Sequence, residues 1–105
     1  MTESRLVLSI DALADLAEIQ NYIIGQDGEM RATAAMSRLR RALSSVSFMP
    51  GIGRKRADIG GRALLFHPVK PWLVAYTILP SNDGIFVRRI VDGRRNLKRI
   101  FEGFR

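Results

Sequence analysis

The 105-residue chain contains no cysteine and one histidine, His67. Without thiolates it has neither a disulfide framework nor a cysteine-ligated zinc site. One imidazole among scattered carboxylates does not favour a metal site or a Ser-His-Asp arrangement, since no nucleophile-elbow motif is present either. We therefore expect no metal and no cofactor, and we interpret His67, which precedes Pro68, as a strand-end side chain with a local hydrogen bond.

Long apolar runs are also missing. The longest uncharged stretches, such as residues 71–82, are about a dozen residues and too short to cross a bilayer. The first five residues, Met-Thr-Glu-Ser-Arg, lack the positive region and apolar core of a secretory signal. We expect a cytoplasmic protein with no membrane attachment. The length and the 47% hydrophobic content predict a single globular domain over residues 1–105.

Arginine is the residue in excess, and its distribution is uneven. Residues 1–53 carry five basic and six acidic side chains, whereas residues 54–105 carry twelve basic and four acidic ones. Fourteen of the 17 basic residues are arginine, whose planar guanidinium suits carboxylates and phosphates. Two blocks hold most of the excess: residues 50–56 with Arg62, and residues 88–95 with Lys98 and Arg99. The net charge of +7 predicts one surface for an anionic partner, either nucleic acid or an acidic protein.

The first half of the chain predicts a strand and two helices. Residues Arg5 to Ile10 favour a strand, and Asp11 is the expected N-cap of the first helix. Its apolar stripe consists of Ala12, Leu16, Ile19 and Ile23. A turn over residues 25–28 then leads to a second helix over residues 29–47, which predicts an antiparallel helix hairpin.

The second half predicts three strands. Met49 to Gly53 ends the helical pattern, and the strand candidates that follow are residues 62–67, 72–79 and 85–91. The cluster Pro80 to Gly84 predicts a hairpin between the last two, and residues 94–105 predict a final helical turn. The order β-α-α-β-β-β predicts an α+β fold with the helix hairpin packed on a small antiparallel sheet.

Several side chains have both a structural and a functional interpretation. Gly51 and Gly53 follow a helix and precede a strand, whereas a phosphate-binding fingerprint follows a strand and precedes a helix. We therefore interpret them as glycines that end the helix and let the backbone turn. Arg54, Lys55 and Arg56 fit a phosphate clamp and a solvated loop equally well. The shared strand parity of Trp72 and Tyr76 favours core packing over base stacking, and Tyr22 is likewise expected to pack.

Arg88 and Arg89 are adjacent on a predicted strand, so their side chains are expected on opposite faces. The one that faces the helices needs a carboxylate partner, for which Asp92, Asp15 and Glu18 are candidates. The other is then available to a target.

Three segments together resemble the ParE branch of the RelE/ParE toxin superfamily: GIGRKRADIGGR from Gly51, PVKPWLVAY from Pro68 and VRRIVDGRRNL from Val87. The first helix adds a D-L-x-x-I-x-x-Y pattern from Asp15 to Tyr22. The resemblance spans nearly the whole chain, and it implies a RelE/ParE-like fold in agreement with the layout read above. It implies the toxin of a type II toxin–antitoxin pair, a plasmid stabilisation protein, neutralised by an acidic ParD-like antitoxin that wraps the helix hairpin and sheet.

Two activities follow from the resemblance, inhibition of DNA gyrase for ParE-like members and cleavage of ribosome-bound mRNA for RelE-like ones. For the endoribonuclease, Arg62 and Arg95 match phosphate-binding positions, but Leu64 and Leu73 replace basic residues and Phe101 lacks a catalytic hydroxyl. Since no proton-transfer group remains, binding of gyrase is the leading hypothesis. A non-toxic antitoxin-binding homologue is the third, since Asp92 and Asn96 depart from the ParE pattern.

The expected site residues divide into two sets. Those for the target are Arg54, Lys55, Arg56, Arg94, Arg95 and Phe101, and those for the antitoxin are Arg62 and Arg89. The resemblance implies contact with DNA only indirectly, through the toxin–antitoxin complex.

Overall fold

Two long helices cover one face of a five-stranded sheet in the computed structural model, which describes residues 4–59, 61 and 63–104. The elements are β1 (Arg5–Leu8), α1 (Ile10–Asp27), α2 (Glu29–Phe48), β2 (Arg54–Lys55), β3 (Leu65–Val69), β4 (Trp72–Ile78), β5 (Gly84–Asp92) and α3 (Leu97–Phe101). Short 3₁₀ turns occupy Pro50–Ile52 and Glu102–Phe104. The predicted α+β class and the order of its elements are confirmed.

The sheet runs in the order β1-β5-β4-β3-β2. β1 pairs with β5 in parallel, from Arg5 opposite Gly84 to Leu8 opposite Val87, and the other pairs are antiparallel. The sheet is therefore mixed. The last strand of the meander, β5, lies next to the first strand of the chain, β1, and runs parallel to it. β2 was not predicted, since two residues are too few to show an alternating pattern.

Both helix boundaries are set by small residues. The Ser9 side chain accepts a hydrogen bond from the Ala12 amide at 2.9 Å, so Ser9 is the N-cap of α1 and the expectation of Asp11 was wrong. The predicted turn over residues 25–28 shrinks to Gly28, whose φ of 90° suits glycine. α1 continues through Gly25 to Asp27, and α2 follows at once.

The sheet carries a core on each face. On the face that the helices cover, the predicted apolar stripe of α1 packs with α2 and with the helix-facing residues of the strands, including Val74, Tyr76 and Val87. On the opposite face a smaller core holds Leu64, Phe66, Leu73, Ala75, Val91 and Phe101. The short tail helix α3 covers this second core. The residues of α3 therefore lie on the sheet face away from the helix hairpin.

A bulge in β5 separates the two adjacent arginines. Ala75 lies opposite Arg89 but Tyr76 lies opposite Val87, so Arg88 is the extra residue. The Arg88 guanidinium lies over the Phe86 ring at 4.4 Å, and that of Arg89 reaches α1. The expectation that these two side chains diverge is confirmed.

Candidate functional site

The hydroxyl of Tyr76 fixes the loop that leads into the first basic block. It donates to the Pro50 carbonyl at 2.6 Å and accepts from the Gly53 amide at 2.8 Å. A side chain at Gly53 would collide with this ring, which explains the glycine. Tyr76 is fully buried, and its burial raises the pKa of the hydroxyl, opposed in part by the Gly53 hydrogen bond. The predicted core role of Tyr76 is confirmed.

The first basic block follows this anchored loop directly. Arg54 and Lys55 form the edge strand β2, paired with Phe66 and Leu65 of β3, and both side chains are exposed. Arg56 donates through Nη2 to Asp58 at 3.2 Å in an exposed pair. Arg62, expected to contact the antitoxin or a scissile phosphate, lies outside the described residues.

The second basic block begins where β5 ends. Asp92 accepts from Arg94 Nε at 2.9 Å and Nη2 at 2.6 Å, and from the Arg94 amide at 2.9 Å. These bonds, the Arg94 side chain first, hold the pKa of Asp92 at about 2. The Gly93 amide donates to the Pro71 carbonyl at 2.8 Å, which ties the strand end to the β3–β4 turn. The Asn96 side chain then caps α3 by accepting from the Arg99 amide at 3.2 Å.

A groove of about 580 Å³ brings the two blocks together. Arg56 from the first block, Lys70 from the β3–β4 turn and Arg94 from the second block all line it. A smaller depression next to it is lined by Arg95, Asn96, Arg99 and Ile100. We call Arg56, Lys70, Arg94, Arg95 and Arg99 the basic surface. Arg56 and Arg94 are about 40 residues apart in sequence, and the structure places both of them on this groove.

Phe101 does not belong to this surface. Its side chain is fully buried in the second core, where its ring meets that of Phe66 edge-on, with the centroids 5.2 Å apart. The expectation that Phe101 contacts the target is corrected, because its ring is buried where α3 packs against the sheet.

Arg89 also has a structural partner. Its Nε and Nη2 donate to Asp15 at 2.8 and 3.1 Å, and the Ile90 amide donates to the same carboxylate at 2.9 Å. The hydrogen bonds that Arg89 donates to Asp15 raise the pKa of the Arg89 guanidinium. The sequence predicted a pairing of this kind with Asp15 among the candidates. The antitoxin role expected of Arg89 stays a prediction, for a guanidinium that already binds a carboxylate of this chain.

A second cleft of about 420 Å³ lies between α1 and the end of β5. Its walls carry Glu18 and Tyr22 of α1 opposite Arg94 and Arg95, over an apolar floor that includes Trp72. Tyr22 is 68% exposed, so the expectation that it packs in the core was wrong. The stripe of α1 passes through Ile19 and Ile23, which leaves Tyr22 at the edge of the packed face. Trp72 is 9% exposed and meets the predicted core role, with Arg38 over its ring at 5.1 Å.

The basic surface has the means to bind anions and few means to transfer protons. Of the described residues lining the groove, none is a histidine, a tyrosine or a carboxylate. His67 lies on β3 opposite Val74, a residue of the helix-side core. Among the described residues no group of three or more His, Cys, Asp or Glu is arranged for a metal ion. The arrangement supports electrostatic binding.

Comparison with known proteins gives a consistent result. Residues 6–97 match the family described as ParE toxin of the type II toxin–antitoxin system parDE. Toxin ParE3 of Caulobacter vibrioides is 29% identical over 93 residues, which is 89% of this chain and 90% of that protein. A structure of the chromosomal ParDE toxin–antitoxin system from P. aeruginosa superimposes with a TM-score of 0.71 at 17% identity, covering 88% of this chain and 96% of that one. Within the described residues, no helix is long and apolar enough to span a membrane.

Proposed function

Because this chain belongs to the ParE toxin family of type II toxin–antitoxin systems, we propose that it inhibits DNA gyrase by binding and is neutralised by a ParD-like antitoxin. The observation that carries the mechanism is the basic surface, which offers cations to an anionic target. No described residue that lines its two depressions is a general base, and the carboxylates of Asp58 and Asp92 are held in ion pairs with Arg56 and Arg94. RNA cleavage by 2′-hydroxyl attack needs a proton acceptor and a leaving-group acid. The buried phenylalanine at 101 and the absence of such groups from the groove lining favour binding over cleavage.

The proposed target surface consists of Arg54, Lys55, Arg56, Arg94 and Arg95. All five side chains are exposed. The Tyr76 hydroxyl holds the loop that precedes Arg54, and Asp92 orients the Arg94 side chain. Preorganisation of this kind lowers the ordering cost of binding.

The antitoxin is proposed to contact α2 more than α1. α1 carries four carboxylates and no basic residue, whereas α2 carries four arginines and one glutamate. An acidic partner is therefore repelled by the outer side of α1 and attracted by α2. At the end of α2, Phe48 and Met49 are 66% and 62% exposed, which supplies the apolar contact that a stable protein interface needs.

The test is a supercoiling assay with purified gyrase and purified toxin. The variant is R94Q/R95Q, and its matched control is R40Q/R41Q, an adjacent and exposed arginine pair on α2. We expect inhibition by the wild type, at least tenfold weaker inhibition by R94Q/R95Q and full inhibition by the control. Affinity for the antitoxin should be kept by R94Q/R95Q and weakened by R40Q/R41Q.

Expression in cells without antitoxin distinguishes the alternatives. Growth arrest with filamentation and a DNA-damage response supports the proposal. Arrest with rapid loss of protein synthesis and mRNA cut at ribosome-bound codons would replace it with the endoribonuclease. Normal growth with folded, soluble protein would replace it with a non-toxic antitoxin-binding homologue.

A further inference from the structure

Part of the basic surface lies on the sheet face opposite the helix hairpin. Its groove is lined by Leu73 and Leu97, which belong to the second core on the sheet face opposite the helix hairpin. The four carboxylates of α1 belong to the helix layer on the other face. Arg94 and Arg95 also border the cleft that α1 lines with Glu18, whereas Lys70 and Arg99 do not. A polyanion is therefore attracted most strongly on the side of Lys70 and Arg99.

Most of the cations on this surface have no internal counter-ion. Lys70, Arg95 and Arg99 make no ion pair with any described residue. Arg56 is paired with Asp58, and Arg94 is paired with Asp92. In both pairs some N–H groups of the guanidinium remain available for a further acceptor. No carboxylate is among the described residues that line the two depressions, so the cations there outnumber the nearby carboxylates Asp58 and Asp92.

The same surface has almost no exposed apolar side chain. Of the ten large hydrophobic residues that are exposed in the described chain, nine precede Gly53 and the other is Ile78. Trp72 and Leu73 on the groove floor are only 9% and 8% exposed. Protein interfaces have an apolar or aromatic core, whereas nucleic acid backbones are bound by cations and polar groups alone.

We propose that the basic surface binds the phosphodiester backbone of duplex DNA directly and without reading its sequence. The inference deepens the proposed function and rests on it for its biological setting, since gyrase holds DNA while it acts. It differs from the expectation that this chain meets DNA only through its complex with an antitoxin. The exposed apolar residues, such as Phe48 and Met49 at the end of α2, lie outside the basic surface, so the antitoxin and DNA can be bound at separate places.

The test is fluorescence anisotropy of the full-length protein with a labelled duplex of about 20 base pairs over a range of salt concentrations. Each phosphate that is neutralised contributes about 0.9 to the steepness of log K against log salt, so contacts from three to five cations predict a slope of about −2.7 to −4.5. The variant K70Q/R95Q/R99Q removes the three unpaired cations. We expect its affinity at low salt to fall more than tenfold and the steepness of its slope to fall by about 2.5.

The matched control is R31Q/R40Q/R41Q, which removes the same charge from the exposed side of α2. We expect it to keep the wild-type slope within about one unit. Equal losses in the variant and the control would overturn the inference, because they would show a response to net charge alone. A poly-L-glutamate of equal charge that binds as tightly as the duplex would also overturn it in favour of an acidic protein. Thermal melts of all three proteins verify that they are folded.

The supercoiling assay separates this inference from the proposed function. Duplex binding by a protein that does not inhibit gyrase would overturn the proposed function and support the inference. Gyrase inhibition by a protein with no affinity for the duplex at about 50 mM salt would overturn the inference and support the proposed function. Tighter binding of a single-stranded RNA of the same length would also overturn it, since it would identify RNA as the ligand.

Discussion

Asp15 of α1 and Arg89 of β5 form an ion pair of two hydrogen bonds, 2.8 and 3.1 Å long, across the boundary between the helix layer and the sheet. The side chains are 10% and 23% exposed. Asp15 also accepts the Ile90 amide, at a point where β1 has already ended and β5 has no neighbouring strand on that side. One carboxylate therefore neutralises the guanidinium and completes the hydrogen bonding of the sheet.

Replacing Asp15 by alanine should destabilise the protein by about 2–4 kcal/mol, because it leaves a largely buried guanidinium and a buried amide without their acceptor. Urea denaturation measures the loss. Glu18→Ala, an exposed change one turn later on the same helix, should stay within about 0.5 kcal/mol. The double variant D15A/R89M should recover part of the stability, since it removes the unpaired charge. No recovery would show that the amide contact, and not the ion pair, carries the energy.

Substitution of Gly53 by alanine should be strongly destabilising, because the new methyl group collides with the Tyr76 ring and hydroxyl. Gly51→Ala, two residues earlier in the same turn, meets no atom within 4 Å and provides the control. We expect Gly53→Ala to cost about 1–3 kcal/mol, as overpacking does in cores, and Gly51→Ala to cost less than about 1 kcal/mol. Thermal melts compare the two. Similar losses for both would mean that Tyr76 does not fix this loop.

The contribution of Asp92 to stability should change with pH only in the acid range. Its pKa is lowered from 3.8 to about 2 in the folded protein, so its contribution is complete above the unfolded value and is lost as the pH falls through the folded value. The difference in unfolding free energy between the wild type and Asp92→Asn should thus be constant above about pH 5 and disappear near about pH 1. Urea titrations between these limits measure it. A difference that grew on acidification would contradict the assigned pairing with Arg94.

Phe101→Ala should lower stability by about 3–5 kcal/mol, because it empties the centre of the second core. Phe101→Leu should cost less, since most of the buried volume is kept. If Phe101 acts only through folding, both variants should bind the target normally at temperatures where they are folded. Loss of gyrase or DNA binding by a fully folded Phe101→Leu protein would restore the target contact that the sequence predicted.

The helices and the strand order of the meander could be predicted because local rules decide them. The stripe of α1, the buried face of α2 and the turn from Pro80 to Gly84 each follow from spacing or turn chemistry within a few residues. The errors fell where two local signals compete. Ser9 and Asp11 are both acceptable caps, and only the hydrogen bond to the Ala12 amide shows that Ser9 is used.

The sequence alone determined that this protein is basic in its second half, that its fold is α+β and that its closest pattern is that of ParE toxins, because charge, periodicity and motif order are readable along one dimension. Only the tertiary structure decided which of those residues can act. It buried Phe101 under α3, paired Arg89 with Asp15 and left Tyr22 exposed. It also joined Arg56, Lys70 and Arg94 in one groove, since contacts between segments distant in sequence depend on the sheet order and on the packing of the tail.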